Sequence, residues 1–447
     1  MFACVECGAT SPSWQGRCPR CGAWGALEPR GSGRDAGPEP LSLEEVASEP
    51  IVRRPSGSPE FDRVLGGGLV PGCAVLVGGE PGIGKSTLLL DVCGRVAGRE
   101  GSKALYVAGE ESPRQVALRA ERLRVKAPDL LLLDSTDTAQ VIDALERVRP
   151  DICVVDSVQT MTTAEVEGTP GGPAQVRAAA ARLVPATRQL GTALLLVGQV
   201  TKEGGLAGPR TLEHAVDAVL LFEGDRHSSL RALRAVKNRY GATDEIGLFE
   251  MREDGLREVR NASDLLLSDR AAAGPGSVIA VAVEGRRPLC IEIQALLVGE
   301  KRFPARRRAS GVDARRLELI VGVVESLFAS EVAGREVYVN AAGGLAVRDA
   351  GIDLAVAAAV IGAQFGLAVE PDAVVIGEVG LRGEVRPVPQ VQARLKEARA
   401  MGFRKAYVPV DTPPLDGIEC RGVKRVDEVL RLDEPAHDRG NSGRDPP

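Results

Sequence analysis

The sequence predicts an α/β protein organised around a mostly parallel sheet, with a small cysteine-rich module ahead of it and a second α+β region behind it. Three observations carry this. Five apolar runs, Ala74–Val77, Ala104–Val107, Leu130–Leu133, Ile152–Val155 and Ala193–Val197, alternate with helix-compatible stretches, the order that builds a parallel sheet. Two Cys-x-x-Cys pairs, Cys4/Cys7 and Cys18/Cys21, stand near the start. A Gly274-Pro275-Gly276 break precedes a later group of β-like runs at Val278–Val283, Cys290–Ala295, Val337–Asn340 and Val374–Ile376.

A chain of 447 residues exceeds what one hydrophobic core organises and points to two or three domains. A net charge of −5 gives no global basic field, so nucleic-acid contact must come from local patches or loops. No apolar run approaches the roughly 20 residues that cross a bilayer, and the chain starts with cysteines instead of a charged-then-apolar leader. A cytoplasmic protein with no membrane partner is expected. Cys73, Cys93, Cys153, Cys290 and Cys420 stand apart in mostly apolar contexts, the pattern of buried thiols and not of a disulfide framework.

In the first module, residues 1–28, Cys4, Cys7, Cys18 and Cys21 set two thiol pairs on tight turns, each followed by glycine (Gly8, Gly22). Four cysteines without histidine favour a closed structural Zn2+ site over a redox pair. So small a module draws its folding energy from the metal; Trp14 and Trp24 are expected to pack, an exposed one being able to stack on a base. Residues 29–50, rich in Pro, Gly and Glu with a short helix-compatible stretch at 41–47, read as a linker. Residues 51–270 hold the alternating pattern, and the later runs Ala218–Phe222, Leu230–Val236 and Ile246–Met251 are expected to extend one sheet edge antiparallel. Residues 271–435 form the second α+β region, and the polar tail 436–447 is expected to be disordered.

The stretch Gly79-Glu80-Pro81-Gly82-Ile83-Gly84-Lys85-Ser86 joins the first apolar run to Thr87 and a helix-compatible Leu88-Leu89-Leu90. This is the spacing of a phosphate-binding loop. Its glycines let backbone N–H groups turn inward, Lys85 neutralises β/γ-phosphate charge and Ser86 offers its hydroxyl to Mg2+, so ATP with Mg2+ is the expected ligand. Asp156 closes the Ile152–Val155 run, where a carboxylate holds the magnesium shell; a strand-end acid capping a turn is the alternative. Glu110 and Glu111 follow the Ala104–Val107 run, placed to orient and deprotonate the attacking water, Glu110 first; Glu111 also reads as an ordinary helix-start acid. Gln199, after the Ala193–Val197 run, reads as a γ-phosphate sensor or as a polar strand end. Lys237 and Arg239 alternate on a strand end and so face one way, suited in a ring to a phosphate bound by the neighbouring subunit. In isolation such a pair reads better as a solvated basic turn.

Taken in this order, the phosphate loop, Val107-Ala108-Gly109-Glu110-Glu111-Ser112, Asp156-Ser157-Val158-Gln159-Thr160, Lys237-Asn238-Arg239-Tyr240-Gly241 and the leading four cysteines resemble the bacterial RadA (Sms) DNA-repair ATPases over nearly the whole chain. That family usually has Phe where Tyr240 stands and commonly His where Gln199 stands. The resemblance implies a zinc ribbon, a RecA-like P-loop core similar to replicative hexameric helicases, and a C-terminal Lon-protease-like domain. It also implies ATP hydrolysis stimulated by single-stranded or branched DNA, branch migration alongside the RecA recombinase, and a hexameric ring. The alternative reading is a nucleotide-gated adaptor resembling the KaiC-like ATPases, which regulates or loads a partner without translocating.

Lon peptidases use a serine and a lysine. Alignment with their motifs puts Ile352 at the serine position and Gln392 at the lysine position, so peptidase chemistry is not expected. RecA-like motors hold single strands with loops after the magnesium-site and sensor strands, here 161–174 and 200–210, the second carrying Lys202 and Arg210. Arg302, Arg306, Arg307 and Arg308, with Arg315 and Arg316 beyond, make the strongest basic patch of an acidic chain. They are expected to bind DNA phosphates, an ordinary solvated arginine cluster being the alternative.

Overall fold

A computed structural model describes residues 2–29, 42, 52–199, 211–224, 229–267, 274–299, 305–328 and 334–430. Met1–Val52 and Arg53–Pro447 form two compact units. The first contains β1 (Phe2–Cys4), β2 (Thr10–Ser11) and β3 (Leu27–Pro29) in an antiparallel sheet of order β2-β1-β3. Its buried cluster is Cys4, Cys18, Ala26 and Leu27. Trp14 and Trp24, expected to pack, are instead 61% and 78% exposed, since a module this small has no interior large enough for an indole. The linker helix at 41–47, Ser42 apart, and the tail lie outside the described residues.

The second unit opens with α1 (Pro59–Leu65) and builds a nine-stranded sheet. Its elements run β4 (Ala74–Gly79), α2 (Lys85–Ala97), β5 (Ala104–Ala108), α3 (Pro113–Arg122), β6 (Leu130–Leu133), α4 (Thr138–Val148) and β7 (Ile152–Asp156). They continue with α5 (Pro173–Leu190), β8 (Ala193–Gln199), α6 (Thr211–Ala215), β9 (Ala218–Glu223), β10 (Leu230–Asn238), β11 (Ile246–Arg252) and β12 (Gly255–Glu258). The order is β12-β11-β10-β9-β4-β8-β7-β5-β6; β9 (Ala218–Glu223), expected in the antiparallel extension, instead runs parallel to β4, and the antiparallel part begins with β10 and continues through β11 and β12. Burial on both faces explains the unbroken apolar runs: Val75, Val77 and Tyr106 cluster with α2, whereas Leu76, Leu105 and Val155 cluster with α4 and α5. β6 reads as core but is an edge strand, and its Leu131 and Leu132 are partly exposed. β4, β7 and β8 outrun their apolar stretches and end in Gly79, Asp156 and Gln199, so the site residues collect at one edge of the sheet.

After α7 (Ala262–Leu267) comes a seven-stranded mixed sheet of order β15-β16-β14-β13-β17-β20-β21. It contains β13 (Ser277–Glu284), β14 (Arg287–Val298), β15 (Arg307–Ser310), α8 (Ala314–Leu327), β16 (Glu336–Ala341), α9 (Asp353–Phe365) and β17 (Ala373–Val375). The small hairpin β18 (Glu378–Val379) and β19 (Val385–Arg386) precedes α10 (Val391–Ala400), β20 (Lys405–Pro409) and β21 (Glu419–Val423). α9 is apolar almost all round, and every residue from Asp353 to Gly362 is buried. The two large sheets share a hydrophobic cluster in which Leu230 and Ala232 of β10 and Ile246 and Leu248 of β11 join Val278, Ala280 and Ile291. Two ion pairs flank it: Arg234 to Glu284 at 2.7 Å and Arg287 to Glu60 at 2.6 Å. No helix among the described residues is long and apolar enough to cross a membrane.

Candidate nucleotide site and metal centre

In the first unit the two cysteine turns close on themselves. Gly8 N donates to Cys4 O at 2.8 Å and Gly22 N to Cys18 O at 2.9 Å, with both glycines at positive φ, so each pair of thiols is held on one tight turn. The sulfurs of Cys4 and Cys21 lie 3.6 Å apart, those of Cys7 and Cys18 3.7 Å, and all four within 4.8 Å. A tetrahedral Zn2+ with bonds of about 2.3 Å has sulfur–sulfur edges of about 3.8 Å, so the donor set fits that ion. Backbone N–H groups of Cys21 and Arg20 draw the Cys18 thiol down to about 6, whereas hydrogen bonds to the neighbouring thiols hold the proton on Cys21.

In the second unit, β4 delivers the chain into the phosphate loop beside β8 and β9, with Gly79 paired to both Gln199 and Phe222. A Cβ at Gly79 would come within 2.6 Å of Phe222 O, which makes glycine obligatory there. Gly82 and Gly84 have φ of 78° and 113°, and α2 begins at Lys85 with no side chain capping it. Its first N–H groups are left for an anion, the arrangement a triphosphate fits. Lys85 is buried, and its Nζ donates to Gly79 O at 2.8 Å and Glu80 O at 2.9 Å. Burial lowers its pKa, while the charges of Asp156 and Glu110 pull it back up.

Asp156 is buried at the end of β7 and accepts a hydrogen bond from the Tyr106 hydroxyl. Gly109 N donates to Asp156 O at 2.8 Å, tying the end of β5 to that of β7 and bringing Glu110 alongside, where it accepts from the Ser157 hydroxyl. Glu111 points elsewhere, to an ion pair with Arg119 on α3. A capping box between Ser112 and Gln115 starts that helix, so Glu111 needs no capping role. Ser86 and Thr87 lie in the first turn of α2, while Glu80 and Pro81 form the exposed lip of the loop with Ile83 buried beneath it.

Lys237 and Arg239 do reach the same neighbourhood. Lys237 Nζ donates to Glu213 O at 2.5 Å and Val216 O at 2.7 Å, and Arg239 Nη1 lies 3.6 Å from Asp217 Oδ1. The register of β10 against β9 shifts between Ala235 and Lys237, a bulge just before the pair. Partial burial and the Arg239 charge hold the Lys237 ammonium below its ordinary pKa. The other letters of the pentapeptide build the turn: Asn238 donates to Val64 O at 3.2 Å and accepts from Tyr240 N at 2.9 Å, and Gly241 packs where a Cβ would meet Gly66 Cα at 3.1 Å. Asp217 also accepts from Ala74 N at 2.9 Å and Arg188 at 3.1 Å.

Among the arginines expected to bind DNA, strand alternation exposes Arg306 and Arg308 but turns Arg307 inward to pair with Glu325 and donate to Arg335 O at 3.0 Å. Arg307 is thus removed from the basic face, and Arg316 is likewise engaged with Asp353 and Glu378. Lys202, Arg210 and Arg302 lie outside the described residues. The 161–174 loop is pinned by buried Gln175, which accepts from Thr163 N at 2.8 Å and donates to Val166 O. Ile352 is buried, and Gln392 is half-buried and donates to Pro413 O at 2.7 Å.

Sequence reasoning missed Tyr106, Ser157, Asp217 and Arg119. Tyr106 sits mid-strand and Asp217 just before one, where each reads as framework.

Over 444 residues the chain is 46% identical to the DNA repair protein RadA of Pseudomonas aeruginosa, with 96% of this chain and 98% of that protein covered. The chain belongs to the RadA family of DNA repair proteins. RadA proteins of Bacillus subtilis and Escherichia coli are each 42% identical over 450 residues, with 96% of this chain and 97% of each relative covered. Family models match at residues 42–205 for an AAA domain, 2–29 for a rubredoxin metal binding domain and 322–412 for subunit ChlI of Mg-chelatase. A zinc ribbon, an AAA-type ATPase core and a ChlI/Lon-like α+β region thus follow one another along the chain. A KaiC-like protein from Pyrococcus horikoshii OT3 superposes with a TM-score of 0.40 at 18% identity, covering 47% of this chain and 100% of that one.

Proposed function

We propose that this RadA-family ATPase is a DNA-stimulated motor of recombinational repair, which processes recombination intermediates and drives branch migration on single-stranded or branched DNA, together with the RecA recombinase. The observation that most supports a hydrolytic cycle is the convergence of Lys85, after β4, with Asp156 and Glu110 at the ends of the paired strands β7 and β5. In the cycle, Lys85 exchanges the carbonyls of Gly79 and Glu80 for β/γ-phosphate oxygens, while the N–H groups of Gly82 to Thr87 cradle the phosphates. Ser86 and Asp156 would hold Mg2+, which when bound neutralises charge developing between the β- and γ-phosphates. Glu110, oriented by Ser157, positions and deprotonates the attacking water. Gln199, level with Gly79, answers to the γ-phosphate.

The active unit is a ring, a hexamer by family resemblance, in which Lys237 and Arg239 complete the site of the neighbouring subunit. DNA is held by the loops at 161–174 and 200–210, with Lys202 and Arg210, and by Arg302, Arg306 and Arg308. The Lon-like region acts as scaffold and not as peptidase, a reading supported by a buried Ile352 and a Gln392 unable to take a proton. The setting is the cytoplasm. ATP turnover measured with and without single-stranded DNA tests the reading: several-fold stimulation is expected, and unchanged turnover would sink the motor.

A further inference from the structure

We propose that Tyr106 is a positioning residue that fixes the Asp156 carboxylate for its metal, an assignment that rests on reading Asp156 as the magnesium ligand. The register of β5 and β7 is what brings the two together. Tyr106 pairs with Val154 and Ala108 with Asp156, so Asp156 stands on the same sheet face as Tyr106 and two residues further along, a step of about 6.6 Å. A phenol side chain spans that step along the diagonal and places its hydroxyl on Oδ2.

The ring itself is 1% exposed, within the cluster that holds Val77, Leu88 and Val154. A phenylalanine would fill this space equally well, so packing does not call for the hydroxyl. Its hydrogen bond to Asp156 does, because a buried phenol needs a partner and this one has a carboxylate. The backbone of Asp156 is already fixed through Gly109 N, which leaves side-chain rotation as the remaining freedom. Without the phenol hydroxyl the carboxylate would be free to rotate about its side-chain torsions. With Oδ2 held by Tyr106, Oδ1 is the oxygen left for the metal.

The arrangement is crossed. Tyr106 of β5 holds the carboxylate of β7, and Ser157, just beyond β7, holds Glu110, just beyond β5. Each acid thus has one hydroxyl donor from the other strand, and the two strand ends cannot shear without loosening both.

The test is binding of a fluorescent ATP analogue to the full-length protein, titrated with Mg2+. Tyr106→Phe is expected to raise half-saturating Mg2+ about tenfold, while metal-free nucleotide binding and the thermal midpoint stay at the wild-type level. Tyr106→Met, which also lacks the hydroxyl, should give the same shift. A wild-type Mg2+ response in either variant, whatever its thermal midpoint, overturns the assignment. Asp156→Asn separates the two claims. If it loses the Mg2+ response and Tyr106→Phe does not shift it, the Tyr106 assignment alone is wrong; if it keeps a wild-type response, the reading of Asp156 as the ligand fails and takes the assignment with it.

Discussion

Asp217 and Arg239 face each other at 3.6 Å, the carboxylate side chain 4% exposed and the guanidinium 57% exposed. One partner belongs to the interior and the other to the surface. Arg239→Ala should therefore leave the fold and ATP binding intact yet cost about 10³-fold in DNA-stimulated turnover, the magnitude typical of an arginine acting in trans. Full turnover in that variant would disprove the role. Asp217→Asn should act on the frame instead, lowering stability by about 1–3 kcal/mol in urea denaturation because Ala74 N and Arg188 lose a charged acceptor.

The neighbouring acids Glu110 and Glu111 are separated by their partners. Glu110→Gln is expected to reduce turnover by about 10²–10⁴-fold with ATP binding retained. Glu111→Gln breaks the Arg119 ion pair and should leave turnover within about tenfold of wild type. Single-turnover kinetics of the two variants decide which acid serves the water; equal losses would refute the distinction.

Lys85 carries its charge at a cost when no phosphate is bound, since burial is the largest influence on it and lowers its pKa below 10.5. The penalty is present at neutral pH, fades as pH rises through the lowered pKa and is gone above 10.5, where the lysine of the unfolded chain is also neutral. Lys85→Met should thus raise the thermal midpoint of the nucleotide-free protein at pH 7, lose that advantage in alkali, and abolish the stabilisation given by Mg-ATP. A lower midpoint at pH 7 would contradict the burial argument.

Removal of zinc should be felt locally. Chelation, or Cys7→Ser, is expected to release one Zn2+ per chain and to open residues 2–29 to proteolysis. Arg53–Pro447 has its own hydrophobic clusters and should keep its main thermal transition. Metal analysis alongside limited digestion checks both statements.

The parts of the site legible from sequence are those set by local spacing. A glycine-rich turn between a strand and a helix needs no distant partner to be recognised, and Asp156 and Glu110 show themselves as acids at the ends of apolar runs. Tyr106 became visible only once β5 and β7 were in register, because nothing within β5 reveals what lies on the adjacent strand. Glu111 was ambiguous for a similar reason, its partner Arg119 lying two helical turns away. Arg307 was misplaced by counting cations without the period of a strand, which turns every second one inward. The nearly unbroken leucines of β6 concealed an edge, as apolar composition does not distinguish a central strand from a terminal one.

Strand β10 serves two masters. At its start Leu230 and Ala232 are embedded in the cluster that also holds the C-terminal sheet, and Arg234 is tied to Glu284. At its other end it carries Lys237 and leads directly into Arg239. The strand is thus gripped at one end by the C-terminal sheet and, beyond the irregularity at Ala235/Lys237, leads at the other to the two cations proposed to act in trans. On that proposed assignment, a shift of the C-terminal sheet would be felt at the cations that serve a neighbour's phosphate.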